Sequence, residues 1–185
     1  SFVLSKLIIS LKGINLFEEK NQLNGFESDK NVGITYADLA DIDYFISGDL
    51  DNAERNYVNS INNKNDNSSI RYKLGYINYR DEDYEDAVNH FLVASKDKDS
   101  DLNLMLALGN SLSLKDDNFA SVGYYQRLIE LLDFEIEKKD IILPQINEED
   151  TYLVDMYLKA TNNIGVGQFR IARETGNSNL NGQSM

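Results

Sequence analysis

The sequence resembles itself at a period of 34 residues, and this constrains the fold more than any other feature. The clearest segment holds Leu74-Gly75, then Tyr84, Ala87, Phe91 and Ala94. A shift of 34 residues toward the C-terminus meets Leu108-Gly109, Ser121, Tyr125 and Leu128. The same shift toward the N-terminus meets Ala40-Asp41, Leu50, Ala53, Tyr57 and Ser60. Three copies therefore run in register, over 34–67, 68–101 and 102–135.

Each column has a physical reason. Leu-Gly sets an apolar knob beside a position without a side chain, so a partner helix can approach closely. Ala53 and Ala87 hold the matching small position on a second helix. Tyr57, Phe91 and Tyr125 follow four residues later on the same helical face and fill the gap to the next copy. Gly48-Asp49, Asp81-Glu82-Asp83 and Asp116-Asp117-Asn118 mark turns, because such residues compete with helical backbone and favour caps. The single proline, Pro144, leaves the chain free to be mostly helical. The fold expected is an all-α helix–turn–helix repeat solenoid.

These columns resemble the tetratricopeptide repeat (TPR) family, whose unit is a helix–turn–helix of about 34 residues. The resemblance covers 34–135, and its best segment is Gly48-Asp49-Leu50-Asp51-Asn52-Ala53-Glu54-Arg55-Asn56-Tyr57. There are departures. Ala37, Arg71 and Met105 stand where the family has an aromatic, Ala40-Asp41 replaces Leu-Gly, and no copy has the closing Pro. The resemblance implies a right-handed TPR-like superhelix. Residues 1–33 are expected to form a helix within Val3 to Phe17 and a loop over 20–33, packing on the first repeat. Asn62 to Ser68 reads as a linker within one continuous solenoid. Over 136–185 we expect an extension of the preceding helix to Lys138, a loop through Pro144, a cap at Asn147, a long helix over 148–176 and a polar tail. That helix carries Asn162-Asn163-Ile164-Gly165 and resembles the first half of a fourth unit, with a turn at Thr175-Gly176-Asn177. The start at Ser1 and the polar end read as a piece of a longer protein.

In the family the first helices line a concave groove. The corresponding positions are Thr35, Asp38, Ile42, Phe45 and Ile46, then Ser69, Tyr72, Tyr76, Tyr79 and Arg80, then Asn103, Leu106, Asn110, Ser113 and Leu114. The resemblance thus implies partner binding by Asp38, Ile42, Phe45, Tyr72, Tyr76, Tyr79, Arg80, Asn110 and Ser113. The Tyr72, Tyr76 and Tyr79 stripe offers rigid apolar area with polar tips, as interfaces favour. The competing reading is that these rings pack between repeats. Asp38 and Ile42 occupy positions where the family's chaperone-tail clamp needs Lys and Asn, so that clamp is not expected.

Charge and composition narrow the functions. Acidic residues outnumber basic ones 31 to 18, a net charge of -13, which argues against nucleic acid or an anionic membrane as partner. The absence of Cys removes thiolate metal sites and cysteine nucleophiles, and the one His, His90, reads as a surface residue. Asp97, Asp99 and Asp101 alternate as in a calcium loop, but Leu102 and Leu108 stand where Gly and Glu are required. Gly165-Val166-Gly167 is too short for a dinucleotide loop, and Asn67-Ser68-Ser69 is a formal glycosylation sequon. No metal, cofactor, catalytic residue or membrane insertion is expected. The function expected is a non-catalytic protein–protein interaction module or assembly scaffold for a protein or peptide partner, with exposed repeat ends that allow a homodimer. The chain faintly resembles TPR scaffolds of bacterial envelope and flagellar assemblies, which leaves periplasm and cytoplasm both open. The alternative is a peptide- or ligand-sensing helical domain that controls an associated enzyme.

Overall fold

A computed structural model describes residues 28–97, 100–139, 141, 147–148 and 150–176. The expected helix over 3–17, the Pro144 loop and the tail after Gly176 lie outside these residues. Seven α-helices make up the described part: α1 Ser28–Ile42, α2 Leu50–Asn62, α3 Ser68–Arg80, α4 Tyr84–Ser95, α5 Leu102–Leu114, α6 Asn118–Lys138 and α7 Thr151–Thr175. No strand occurs among the described residues. The fold is an all-α helix–turn–helix repeat.

Helix α1 corrects one expectation. The loop foreseen over 20–33 is helical from Ser28 onward. Gly33 signals close packing there, not a turn. A Cβ on Gly33 would lie 2.6 Å from the Asn63 carbonyl oxygen, and the Ser60 hydroxyl donates to the Gly33 carbonyl at 2.6 Å.

The chain divides into two compact units, residues 1–77 and 78–185, with the division inside α3. The core of the first unit gathers Ala40, Ala53, Tyr57, Ile70, Leu74 and Ile77. Residues before and after the 62–68 linker thus share one core. In the second unit α4 packs on α5, α5 on α6 and α6 on α7. Its fully buried residues include Phe91, Leu104, Leu108, Leu128 and Leu153. Fully burying a side chain of that size contributes about 1.5–3 kcal/mol. The three aromatics of the repeat column, Tyr57, Phe91 and Tyr125, are all buried.

The turns repeat as strictly as the core. Gly48, Glu82 and Asp116 adopt φ of 68°, 64° and 63°. Each is followed by an aspartate that caps the next helix. Asp49 accepts from the Asn52 amide at 3.0 Å, Asp83 from Asp86 at 3.3 Å and Asp117 from Ala120 at 3.2 Å. Such a cap satisfies one of the orphan amides of a helix start. Asn67 and Asp101 cap the first helices in the same way, through the amides of Ile70 at 3.1 Å and Leu104 at 3.1 Å. Asp101 is therefore a cap, while Asp99 lies outside the described residues.

Helix α6 ends at Lys138, and Gly176 with φ of 67° caps the end of α7 at Thr175. The start of α7 differs slightly from expectation. The Asn147 side chain accepts from the Asp150 amide at 2.9 Å, but helix begins only at Thr151. Asp150 and Lys139 form an ion pair across this junction, with the ammonium 6.0 Å from the Tyr152 ring centre. Hydrogen bonding to Lys139 holds the Asp150 carboxyl below its usual range, and the same bond raises Lys139.

Two outcomes follow from this packing. A Cβ on Gly109 would fall 2.5 Å from Cε1 of Tyr125, so Gly109→Ala displaces that ring and lowers unfolding stability by about 2 kcal/mol in denaturant titration. The Asp150–Lys139 pair stabilises the fold above the unfolded aspartate's pKa and ceases to do so as pH falls through the lowered folded value. Asp150→Asn therefore lowers the melting temperature at pH 7, and the gap to the parent chain narrows as pH falls through the lowered folded value of Asp150.

Candidate partner-binding surfaces

In the second unit, the end of α3 and helices α5, α6 and α7 enclose an open cleft of about 290 Å³. Tyr79, Asn110, Ser113 and Leu114 form one part of its lining. Tyr125, Asn163, Val166 and Arg170 complete it. Its floor is a polar network. Tyr125 donates its hydroxyl to Oδ1 of Asn110 at 2.8 Å, and Nδ2 of Asn163 approaches the same oxygen at 3.3 Å. Burial pushes the Tyr125 hydroxyl up, so it stays a neutral donor at physiological pH. Arg170 donates through Nη1 to both the carbonyl and Oγ of Ser113, each at 3.2 Å. A guanidinium held on one edge in this way presents its other edge in a fixed direction.

The first unit carries an aromatic surface of different origin. After Ile42 the chain makes a π-helical turn, Asp43–Ser47. The turn closes through the Asp49 amide on the Asp43 carbonyl at 3.0 Å, a six-residue step. The two later turns close over five residues, from Asp83 to Asn78 and from Asp117 to Leu112, each at 2.9 Å. On this turn Phe45 is 66% and Ile46 54% exposed. Tyr44 meets Phe45 edge-on at 4.8 Å and Tyr76 at 6.3 Å.

Beneath this surface lies the reason for the Asp41 departure from the small column. Asp41 accepts from the Tyr57 hydroxyl at 2.7 Å and pairs with Lys73 at 2.5 Å, both charged side chains being less than a fifth exposed. The Lys73 ammonium also sits 5.3 Å from the Phe45 ring centre and 5.4 Å from that of Tyr57. Desolvation and the Asp41 carboxylate push the Tyr57 hydroxyl far above its ordinary pKa. An aspartate thus replaces glycine where a lysine from α3 neutralises it.

The expected site residues divide between these places. Tyr79, Asn110 and Ser113 converge on the cleft of the second unit. Phe45 and Tyr76 are exposed in the first unit, with Asp38, Ile42 and Tyr72 half-buried there. Arg80 is exposed at the end of α3. Tyr72, Tyr76 and Tyr79 all lie on α3, the first two within the first unit and Tyr79 within the second, where it packs edge-on against Tyr84 at 5.8 Å. His90 is half-buried.

Sequence reasoning missed Asn163, Val166 and Arg170. A signal for the last two was present. Taking Ile164-Gly165 as the Leu-Gly column places Val166 and Arg170 one and five residues past the glycine, as Asn110 and Leu114 follow Gly109. Gly167, in the middle of α7, is a packing residue, where a Cβ would lie 2.6 Å from Cγ2 of Val122.

The paired helices and repeating turns define a TPR-like helical repeat protein. A solved structure described as MamA AMB-1, in the P212121 form, is similar with a TM-score of 0.60 at 14% identity, over 98% of this chain and 90% of that one. At that identity the likeness shows the fold. No family model matches the chain, and no curated protein matches it.

The paired charges in the first unit give a stability test. Lys73→Met leaves Asp41 without its counter-ion in a largely buried site and costs about 3 kcal/mol in equilibrium unfolding. Asp41→Asn combined with Lys73→Met recovers most of that loss, because no net charge then remains to be desolvated.

Proposed function

We propose that this chain is a non-catalytic interaction module, binding a protein or peptide partner through faces built from its first helices and α7. The observation that carries the reading is the convergence of Tyr79, Asn110 and Ser113 with Arg170 on one open cleft. Polar groups that converge in a concave surface are a common mark of a binding site. The exposed Phe45, Ile46 and Tyr76 supply a second surface of the rigid apolar kind that interfaces use. No helix among the described residues is long and apolar enough to cross a membrane.

Capture of partners by the folded chain in lysate of its native cell, identified by mass spectrometry, tests this reading. The double variant Tyr76→Ala with Tyr79→Ala should keep its helical circular dichroism and lose a defined partner set, with affinity falling about tenfold or more. A partner set captured equally by both forms moves the contact off these rings. A catalytic turnover abolished by a single substitution would overturn the proposal.

A further inference from the structure

We infer that α7 carries a self-association surface, covered by α7 of a second copy of this chain in an antiparallel helix pair. The first ground is the face that α7 leaves open. Helix α5 packs on α4 and on α6, and its Met105, Leu108, Gly109 and Leu112 are buried. With Ile164-Gly165 in the Leu-Gly column, the same positions of α7 are Thr161, Ile164, Gly165 and Gln168, and none of them is buried. Among the described residues α7 packs on α6 and touches α5. Beside the open positions Leu158 is 63% and Phe169 46% exposed. Val154, Leu158, Gly165 and Phe169 follow one another at spacings of four, seven and four, which sets them in one apolar stripe along the helix.

The occupant follows from charge and from the symmetry of the stripe. The chain carries 31 acidic and 18 basic residues, so two copies repel each other over most of their surface. Helix α6 shares that excess, with four acids against two bases. Helix α7 does not, having Asp155 and Glu174 against Lys159, Arg170 and Arg173. The stripe is also its own complement, as a two-fold interface requires. Leu158 and Phe169 lie equally far from the midpoint between Asn163 and Ile164, on opposite sides of it, and so do Asn162 and Gly165. Two α7 helices crossing antiparallel at that point set Leu158 against Phe169 of the second copy. They also set the Asn162 side chain against Gly165, where no side chain stands in its way. Asp155 and Arg173 flank the stripe and differ by one residue, about 1.5 Å of helix, in their distance from the midpoint. Antiparallel pairing therefore brings opposite charges together at both ends. Asp155 holds Lys159 at 2.5 Å within its own helix, and both stay more than half exposed. Parallel pairing would instead set Asp155 on Asp155 and Arg173 on Arg173. Charges placed in this way fix register and orientation.

Sedimentation equilibrium of the whole chain over a range of concentrations measures the association, and a monomer–dimer equilibrium is expected. Leu158→Glu and Phe169→Glu should each raise the dimer dissociation constant about tenfold or more, with helical circular dichroism kept. Phe45→Glu, on the exposed surface of the first unit, should leave it unchanged. The charges test the orientation. Asp155→Arg alone and Arg173→Asp alone should each weaken self-association, whereas an equimolar mixture of the two should form a heterodimer, because opposite charges then meet at both ends. The chain has no Cys, so disulfide trapping has no background. Under mild oxidation, Leu158→Cys chains should cross-link to Phe169→Cys chains and neither to itself. A chain that stays monomeric up to about 1 mM, or a dimer that ignores Leu158→Glu and Phe169→Glu, overturns the inference. A monomer that loses thermal stability on Phe169→Glu assigns the stripe to a segment of its own chain. A monomer whose captured partners depend on Phe169 assigns it to a different protein. Either result removes the second copy, and the latter leaves the interaction module standing.

Discussion

Tyr125 packs against the place where Gly109 has no side chain, and its hydroxyl donates to Asn110. This single contact sets how closely α5 and α6 approach, and it fixes the amide that forms the floor of the cleft. Tyr57 performs the same task in the first unit, bonding to Asp41. The ring supplies apolar area, and the hydroxyl needs a partner because burial leaves no water to satisfy it. Core and surface are therefore joined through one residue type. A tyrosine at this column carries a hydrogen bond out to the face, whereas Phe91 in the middle copy packs without one to offer.

The repeat was legible in the sequence because its columns have simple causes. Small residues, aromatics and turn-forming aspartates recur at one spacing, and each reports a local constraint. The αL turns were legible as turns, although only Gly48 announces its backbone; Glu82 and Asp116 adopt the same φ under the pressure of the cap that follows. The Asp41 departure was visible as an anomaly, but its resolution depends on Lys73, 32 residues away. Pairing of that kind leaves no trace in local pattern.

Other features lay beyond a reading by period. The π-helical turn after Ile42 adds one residue to the closing step, and neither composition nor spacing marks it. Such turns are found often at functional sites, and here the turn carries the exposed Phe45 and Ile46. Residues 28–33 read as a loop because they are polar and contain Gly33, yet that glycine serves a close approach inside a helix. Of the cleft lining, Tyr79, Asn110 and Ser113 were named from the sequence. Asn163, Val166 and Arg170 come from α7, whose register is offset from the preceding copies by the stretch between α6 and α7.

That offset has a consequence for how the molecule forms. The hydrogen bonds that close the hairpins span short distances along the chain, 16 residues from Asp41 to Tyr57 and 15 from Asn110 to Tyr125. Contacts of such low order form early and need little loop entropy. The bond from Arg170 to Ser113 spans 57 residues and waits for α7 to dock. On a ribosome, the hairpins can assemble while α7 is still being made, and the cleft comes into existence only with α7. Recognition by this cleft would then report a finished unit, since a chain released before α7 would own the scaffold without its arginine.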